Sequence, residues 1–179
     1  MSTAEVIDRN FIIKTKLEKS DLVFYDSLDE PFEINGIFYE DGKFRRMPEE
    51  IAKTVSVKVH TLHTNTAGGR IRFRTDSPYV AIKTSMDNCA PTVSFFSISG
   101  VAGFDMYVKK EGKETYYRTF VPPMDMKDGY ESVIDFEDAR EREITINFPL
   151  YSNVSRLLIG VSSISSKTAS FASLTFQVL

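Results

Sequence analysis

Apolar and polar residues alternate with period two along several stretches of the chain. Ile71, Phe73 and Thr75 lie opposite Arg70, Arg72 and Arg74. Val80, Ile82 and Thr84 lie opposite Tyr79, Ala81 and Lys83. Phe104, Met106 and Val108 lie opposite Asp105 and Tyr107, and Ile144, Ile146 and Phe148 opposite Thr145 and Asn147. Successive side chains leave a pleated strand on opposite faces, so this pattern predicts half-buried strands. Turn signals separate them at short intervals, among them Asp41-Gly42, Gly68-Gly69, Glu111-Gly112 and Asp128-Gly129. Only Met47 to Thr54 reads as helix, because Pro48 presets a first turn and Glu49 and Glu50 suit the positive end of the helix dipole. Val57 to His63 reads as a strand, and Phe171 to Leu179 alternates like one more. Many short strands, one short helix and no strand–helix alternation predict an all-β fold, an antiparallel two-sheet sandwich of jelly-roll type. Residues 22–179 form that single domain in this reading, and residues 1–21 an N-terminal arm or edge strand.

At 179 residues the chain suits one compact domain. Its 22 basic and 25 acidic residues give a net charge of −3, with no basic excess to attract phosphate backbones or anionic lipid, so neither nucleic acid nor membrane is an expected partner. The lone Cys89 excludes an intramolecular disulfide framework and a cysteine-built zinc site, which fits a reducing, cytoplasmic setting. No basic segment followed by an apolar run opens the sequence, so no secretory signal is expected there. The longest uncharged stretch, Asn88 to Phe104, is broken by Pro91, Gly100 and Gly103 and falls short of the roughly 20 apolar residues a spanning helix needs.

Two segments are more specific: Thr66-Ala67-Gly68-Gly69-Arg70-Ile71-Arg72-Phe73-Arg74-Thr75-Asp76-Ser77-Pro78-Tyr79-Val80, and Gly103-Phe104-Asp105-Met106-Tyr107. With Pro31 to Gly36, Arg46-Met47-Pro48, Asn147 to Tyr151 and Leu157 to Val161 in the same order, they resemble the amino-terminal β-sandwich of bacterial SGNH-hydrolase-type (GDSL-type) esterases. That domain carries a Gly-x-Asp-Leu-Tyr motif, with Met106 here in the Leu place. The resemblance implies kinship with carboxylic ester hydrolases of acetylhydrolase or lipase-like type. In that family an α/β domain with a Gly-x-Ser-Ile-Thr-x-Gly-like nucleophile segment and an Asp-x-x-His pair follows. The residues after Val161 are too few to build it, so no catalytic residue is carried over. The implied role is a non-catalytic accessory domain that assists substrate binding or assembly, with an SGNH catalytic domain, in cis or in trans, or a second copy of the chain as partner.

Esterase chemistry of its own would need a serine, an imidazole to take its proton and an acid to orient that imidazole. Only His60 and His63 are available, and on a strand their three-residue spacing sends them to opposite faces. The same pair lacks a marked third ligand for a metal, and no cofactor is expected. Neither Gly68-Gly69 nor Gly100 and Gly103 opens a helix as a phosphate or dinucleotide loop would. The polar set that stands out is Arg70, Arg72 and Arg74 on one strand face, with Asp105 and Tyr107 on another. Guanidinium forks and aromatic rings suit sugar hydroxyls or carboxylates, so a carbohydrate or acylated sugar is the candidate ligand. Of the neighbours Tyr116 and Tyr117, one faces the core and one faces out, and Tyr117 joins the candidate set. Phe95 and Phe96 divide in the same way. The competing reading is a solvated sheet face tied by cross-strand ion pairs, with Asp105 as counter-charge to Arg72 or Arg74.

Overall fold

The computed structural model describes residues 14–89, 96–165 and 168–169. In chain order the strands are β1 (Leu22–Asp26), β2 (Glu33–Asn35), β3 (Phe38–Glu40), β4 (Lys43–Arg45), β5 (Arg70–Thr75), β6 (Tyr79–Ser85), β7 (Asn88–Cys89), β8 (Phe104–Lys110), β9 (Lys113–Phe120), β10 (Gly129–Asp135), β11 (Arg142–Asn147), β12 (Ser152–Asn153), β13 (Arg156–Ser162) and β14 (Thr168–Ala169). The helices are α1 (Glu49–Val55), α2 (Val57–Leu62) and α3 (Ile98–Ala102). The strand expected at Phe171 to Leu179 and the placement of Phe95 lie outside the described residues.

Two antiparallel sheets carry the fold. One runs β1-β13-β6-β10; the other runs β14-β5-β11-β8-β9, with β2 also pairing β5. The larger sheet's inner face supplies Ile71, Phe73, Ile144, Ile146, Phe104 and Met106. These meet Val80, Ile82, Ile134, Leu157 and Ile159 of the smaller sheet in one buried cluster, a sandwich-like arrangement. Jelly-roll winding does not follow from these strand orders. Burial of such side chains at roughly 1.5–3 kcal/mol each is the main force holding the layers together. The period-two expectation holds on β5, where buried Ile71, Phe73 and Thr75 alternate with the arginines. Asp41-Gly42 joins β3 to β4 and Glu111-Gly112 joins β8 to β9. All four of these residues have positive φ (49°, 76°, 51° and 79°), the requirement of a tight hairpin turn.

The helices correct the sequence reading, because three are present among the described residues rather than one. The expected helix is displaced slightly, from Met47–Thr54 to Glu49–Val55. More consequentially, Val57 to Leu62 is helical and not a strand. Val57 and Val59 favour strands by propensity, but the Ser56 side chain accepts from the Val59 amide at 3.2 Å and starts a new helix directly after the first.

β6 differs from simple alternation too, since Tyr79 and Ala81 are buried along with Val80 and Ile82. Ala81 belongs to a second small cluster on the outer side of the smaller sheet, where Leu17, Leu22 and Val133 pack on Phe24, Ala81 and Leu158, while Tyr79 lies under Lys19 and donates its hydroxyl to Asp21 at 2.9 Å. Residues 14–19 are strapped there by Glu131, which accepts from Thr15 Oγ1 (2.7 Å), the Lys16 amide (2.8 Å) and Lys83 Nζ (2.6 Å), and by Lys19–Asp135 (2.5 Å). Burial pushes the Glu131 carboxyl up, but the bonds from Lys83, Lys16 and Thr15 outweigh it and hold the group below its ordinary value. A carboxyl depressed by folding stabilises the docked strap above the ordinary carboxylate range, and that contribution is lost as pH falls through the folded value. Acidification below about pH 4 is therefore expected to move the Lys16 amide NMR signal to its disordered position. Glu131→Gln should do the same at neutral pH, at a cost of about 1 kcal/mol. A Lys16 signal that stays put in both experiments would refute the role given to Glu131.

Candidate functional site

The outer face of the larger sheet is laid out in rows set by strand register. Arg70 pairs with Asn147, which pairs with Asp105, and Asp105 pairs with Thr119. The next row is Arg72, Thr145, Tyr107 and Tyr116. Arg70, Arg72, Arg74, Asp105 and Tyr107 thus share one face, as the alternation predicts.

The expected pairing between them is not what forms. Arg72 bonds Glu114 at 3.1 Å, and Arg74 bonds Glu143, which also holds Lys109 at 2.7 Å. Asp105 instead accepts from Thr119 Oγ1 at 2.6 Å, because the register sets it two strands from Arg70 and one row away from Arg72. The repulsion among three arginines is relieved by glutamates that a linear reading does not bring near. Among the described residues no ion pair reaches Arg70.

Tyr117 does not join this face. Met106 pairs with Arg118 but Tyr107 pairs with Tyr116, so Tyr117 is the extra residue of a bulge in β9. Its ring turns to the core side and packs on Phe136 with centroids 5.1 Å apart. Tyr116 takes the outer position instead, its ring edge-on to Tyr107 at 5.7 Å.

At one end of the face a cavity of about 390 Å³ opens between the Gly68-Gly69 turn, α3 and the Phe148-Pro149-Leu150 segment, with Arg70, Asn147, Asp105 and Glu114 on its wall. That volume is within the usual range for small-molecule sites. Gly103, first residue of the Gly-x-Asp motif, lets the end of α3 close tightly beside β9: a Cβ there would stand 2.4 Å from the Ser99 carbonyl oxygen and 2.9 Å from Thr119 Cγ2. The motif thus divides its work. Gly103 sets a close approach, Phe104 and Met106 fill the core, and Asp105 and Tyr107 face outward.

The histidines lie elsewhere. The α2 helix brings their rings together, stacked at 5.4 Å and 11°, instead of to opposite faces. Arg45 Nη1 donates to His63 Nε2 at 3.2 Å, so His63 Nδ1 carries the proton it gives to the His60 carbonyl. His60 stands 3.5 Å from Glu49, whose carboxyl is drawn down to about 2 by Lys53 and His60. Among the described residues no hydrogen bond joins a serine hydroxyl to either imidazole, and no three His, Cys, Asp or Glu side chains converge as a metal site. No helix among them is long and apolar enough to cross a membrane.

The GxDLY family profile, described as the N-terminus of SGNH-hydrolase-type esterases, matches residues 22–166. This chain belongs to that family. The GxDLY domain is similar to a solved structure from Bacteroides ovatus titled a GDSL-like lipase, with 25% identity and a TM-score of 0.70 over 83% of this chain and 43% of that one. It shares its fold with the salicylyl-acyltransferase SsfX3 from a tetracycline biosynthetic pathway, at 20% identity and a TM-score of 0.59 over 85% and 42%. The GxDLY chain spans less than half the length of these two neighbours. No curated protein matches it.

Proposed function

We propose that this GxDLY chain is a non-catalytic accessory domain of an SGNH-type ester hydrolase, acting with a catalytic domain in cis or in trans, and that its cavity holds part of a carbohydrate or acylated-sugar substrate. One observation carries the binding role: Arg70, Asn147 and Asp105 stand side by side in one cross-strand row on the wall of a cavity of about 390 Å³. Together they offer a guanidinium fork, an amide and a carboxylate, the mixed donors and acceptors that sugar hydroxyls and ester carbonyls need. Asp105 accepts from Thr119 through Oδ1 and lines the cavity wall. The accessory role is supported by the family match and by the histidines, whose bonds go to Arg45, Glu49 and a backbone carbonyl rather than to a nucleophile. A cytoplasmic setting agrees with the single cysteine.

Calorimetric titration with a panel of plain and O-acetylated sugars tests this. At least one is expected to bind, and Arg70→Ala to weaken it about tenfold, the loss of one charge-assisted contact. No heat from any member of the panel would sink the binding reading.

A second reading, assembly with another protein surface or a second copy of the chain, is favoured by one feature. Ile51, Val55, Val57 and Leu62 are all exposed on the α1–α2 pair, Val57 at 83%. Sedimentation over a range of concentrations distinguishes it, since a strict monomer excludes self-association.

A further inference from the structure

We infer that the ligand is a linear oligosaccharide, one unit of which occupies the cavity while the chain continues along β8 onto Tyr116. This rests on the cavity being a sugar site, and it adds a second subsite and a residue that sequence alternation assigned otherwise. Tyr107 lies two residues beyond Asp105 on β8, so its side chain leaves the same face about 7 Å further along. Beside it Tyr116 is 54% exposed and stands edge-on to the Tyr107 ring.

The platform is fixed relative to the cavity by hydrogen bonds. Thr119 Oγ1 gives its proton to Asp105, so the Tyr116 hydroxyl donates to Thr119, 2.9 Å away. Glu114 joins the two regions, since it lines the cavity and accepts from Arg72 (3.1 Å) and Thr145 Oγ1 (2.8 Å) in the tyrosine row. A pyranose ring presents C–H bonds on its flat face and hydroxyls at its rim. An exposed ring held in place stacks on the first at little cost in ordering, while the adjacent row of Arg70, Asn147 and Asp105 receives the hydroxyls of the neighbouring unit. A single sugar fills only the cavity and leaves Tyr116 unused, whereas a chain uses both.

The test compares glucose, xylose and N-acetylglucosamine with their β-1,4-linked dimers and trimers, plain and O-acetylated, by calorimetry and by amide NMR shifts. A trimer is expected to bind about tenfold more tightly than its monomer, with shifts at both Asp105 and Tyr116. Tyr116→Ala is expected to erase that gain, and Tyr116→Phe, which keeps the ring, to retain most of it; melting curves confirm that both variants fold. If monomers bind in an Arg70-dependent way but trimers bind no better, or if Tyr116→Ala keeps the gain, the extension is overturned and the cavity reading stands. If no sugar of any length binds, both fall. The length comparison on the unaltered chain decides the matter even if a variant misfolds.

Discussion

Gly103→Ala is expected to lower stability by about 3 kcal/mol, the upper part of the range for forcing atoms into a packed interior. The added methyl would meet the Ser99 carbonyl oxygen at 2.4 Å, and that oxygen already accepts the Gly103 amide, so neither side yields without moving the end of α3. Movement there is costly because α3 is tied on its other side. The Ala102 carbonyl accepts from the Tyr130 hydroxyl at 3.0 Å, and the Val101 carbonyl accepts from Ser152 Oγ at 2.9 Å. For a domain of this size the melting temperature should fall by about 10 °C. Gly100→Ala in the same helix is the control. Its Cβ would find nothing nearer than Ser97 Oγ at 3.4 Å, and alanine is the better helix former, so the melt should stay level or rise slightly. Equal losses in the two variants would show that the backbone of α3 itself, and not the close approach of Gly103 to Ser99 and Thr119, sets the requirement for glycine.

Phe104→Ala is expected to cost more still, about 3–5 kcal/mol, as large aromatic truncations in closed cores do. The ring is fully buried, lies 5.4 Å from Phe148 and 6.4 Å from Tyr130, and Phe104 pairs across the hairpin with Phe120. Strands fix Tyr130 and Phe120, and Phe148 follows β11 directly with its amide bonded to the Gly69 carbonyl at 2.9 Å, so little collapse into the vacated space is available. Denaturant titration measures the loss from a shifted midpoint at unchanged slope. A cost under about 1 kcal/mol would contradict the packing described here. Because Asp105 follows directly, the same variant also tests whether the polar row keeps its geometry when the core beneath it is emptied.

The alternation of β5, β8 and β11 was readable because a two-residue period has only one meaning when one sheet face is buried. It placed Arg70, Arg72, Arg74, Asp105 and Tyr107 together correctly. What it could not provide was register, which depends on hairpin geometry and strand order and decides who pairs with whom. Asp105 therefore went to the wrong arginines, and Glu114 and Glu143 were not recognised as their partners. The bulge in β9 is a clearer case. One additional residue exchanges the faces of Tyr116 and Tyr117, and nothing in Tyr-Tyr-Arg announces it. The α2 helix was missed for a different reason: a capping serine and the anchoring of His63 by Arg45 override the preference of Val57 and Val59 for extended backbone. The cavity draws its wall from segments far apart in sequence, so only Arg70 and Asp105 among its polar residues had been singled out.

The strap across the smaller sheet bears on how this protein can be trimmed. Family similarity begins at Leu22, just beyond the stretch that Glu131 holds down. A chain cut at that boundary would retain every strand described above, yet would bare a greasy strip around Phe24, Ala81 and Leu158. Its shortcoming would be chiefly colloidal, showing as clumping in concentrated solution beside a melt lowered by only about 2–4 °C for the roughly 1 kcal/mol that the strap contributes.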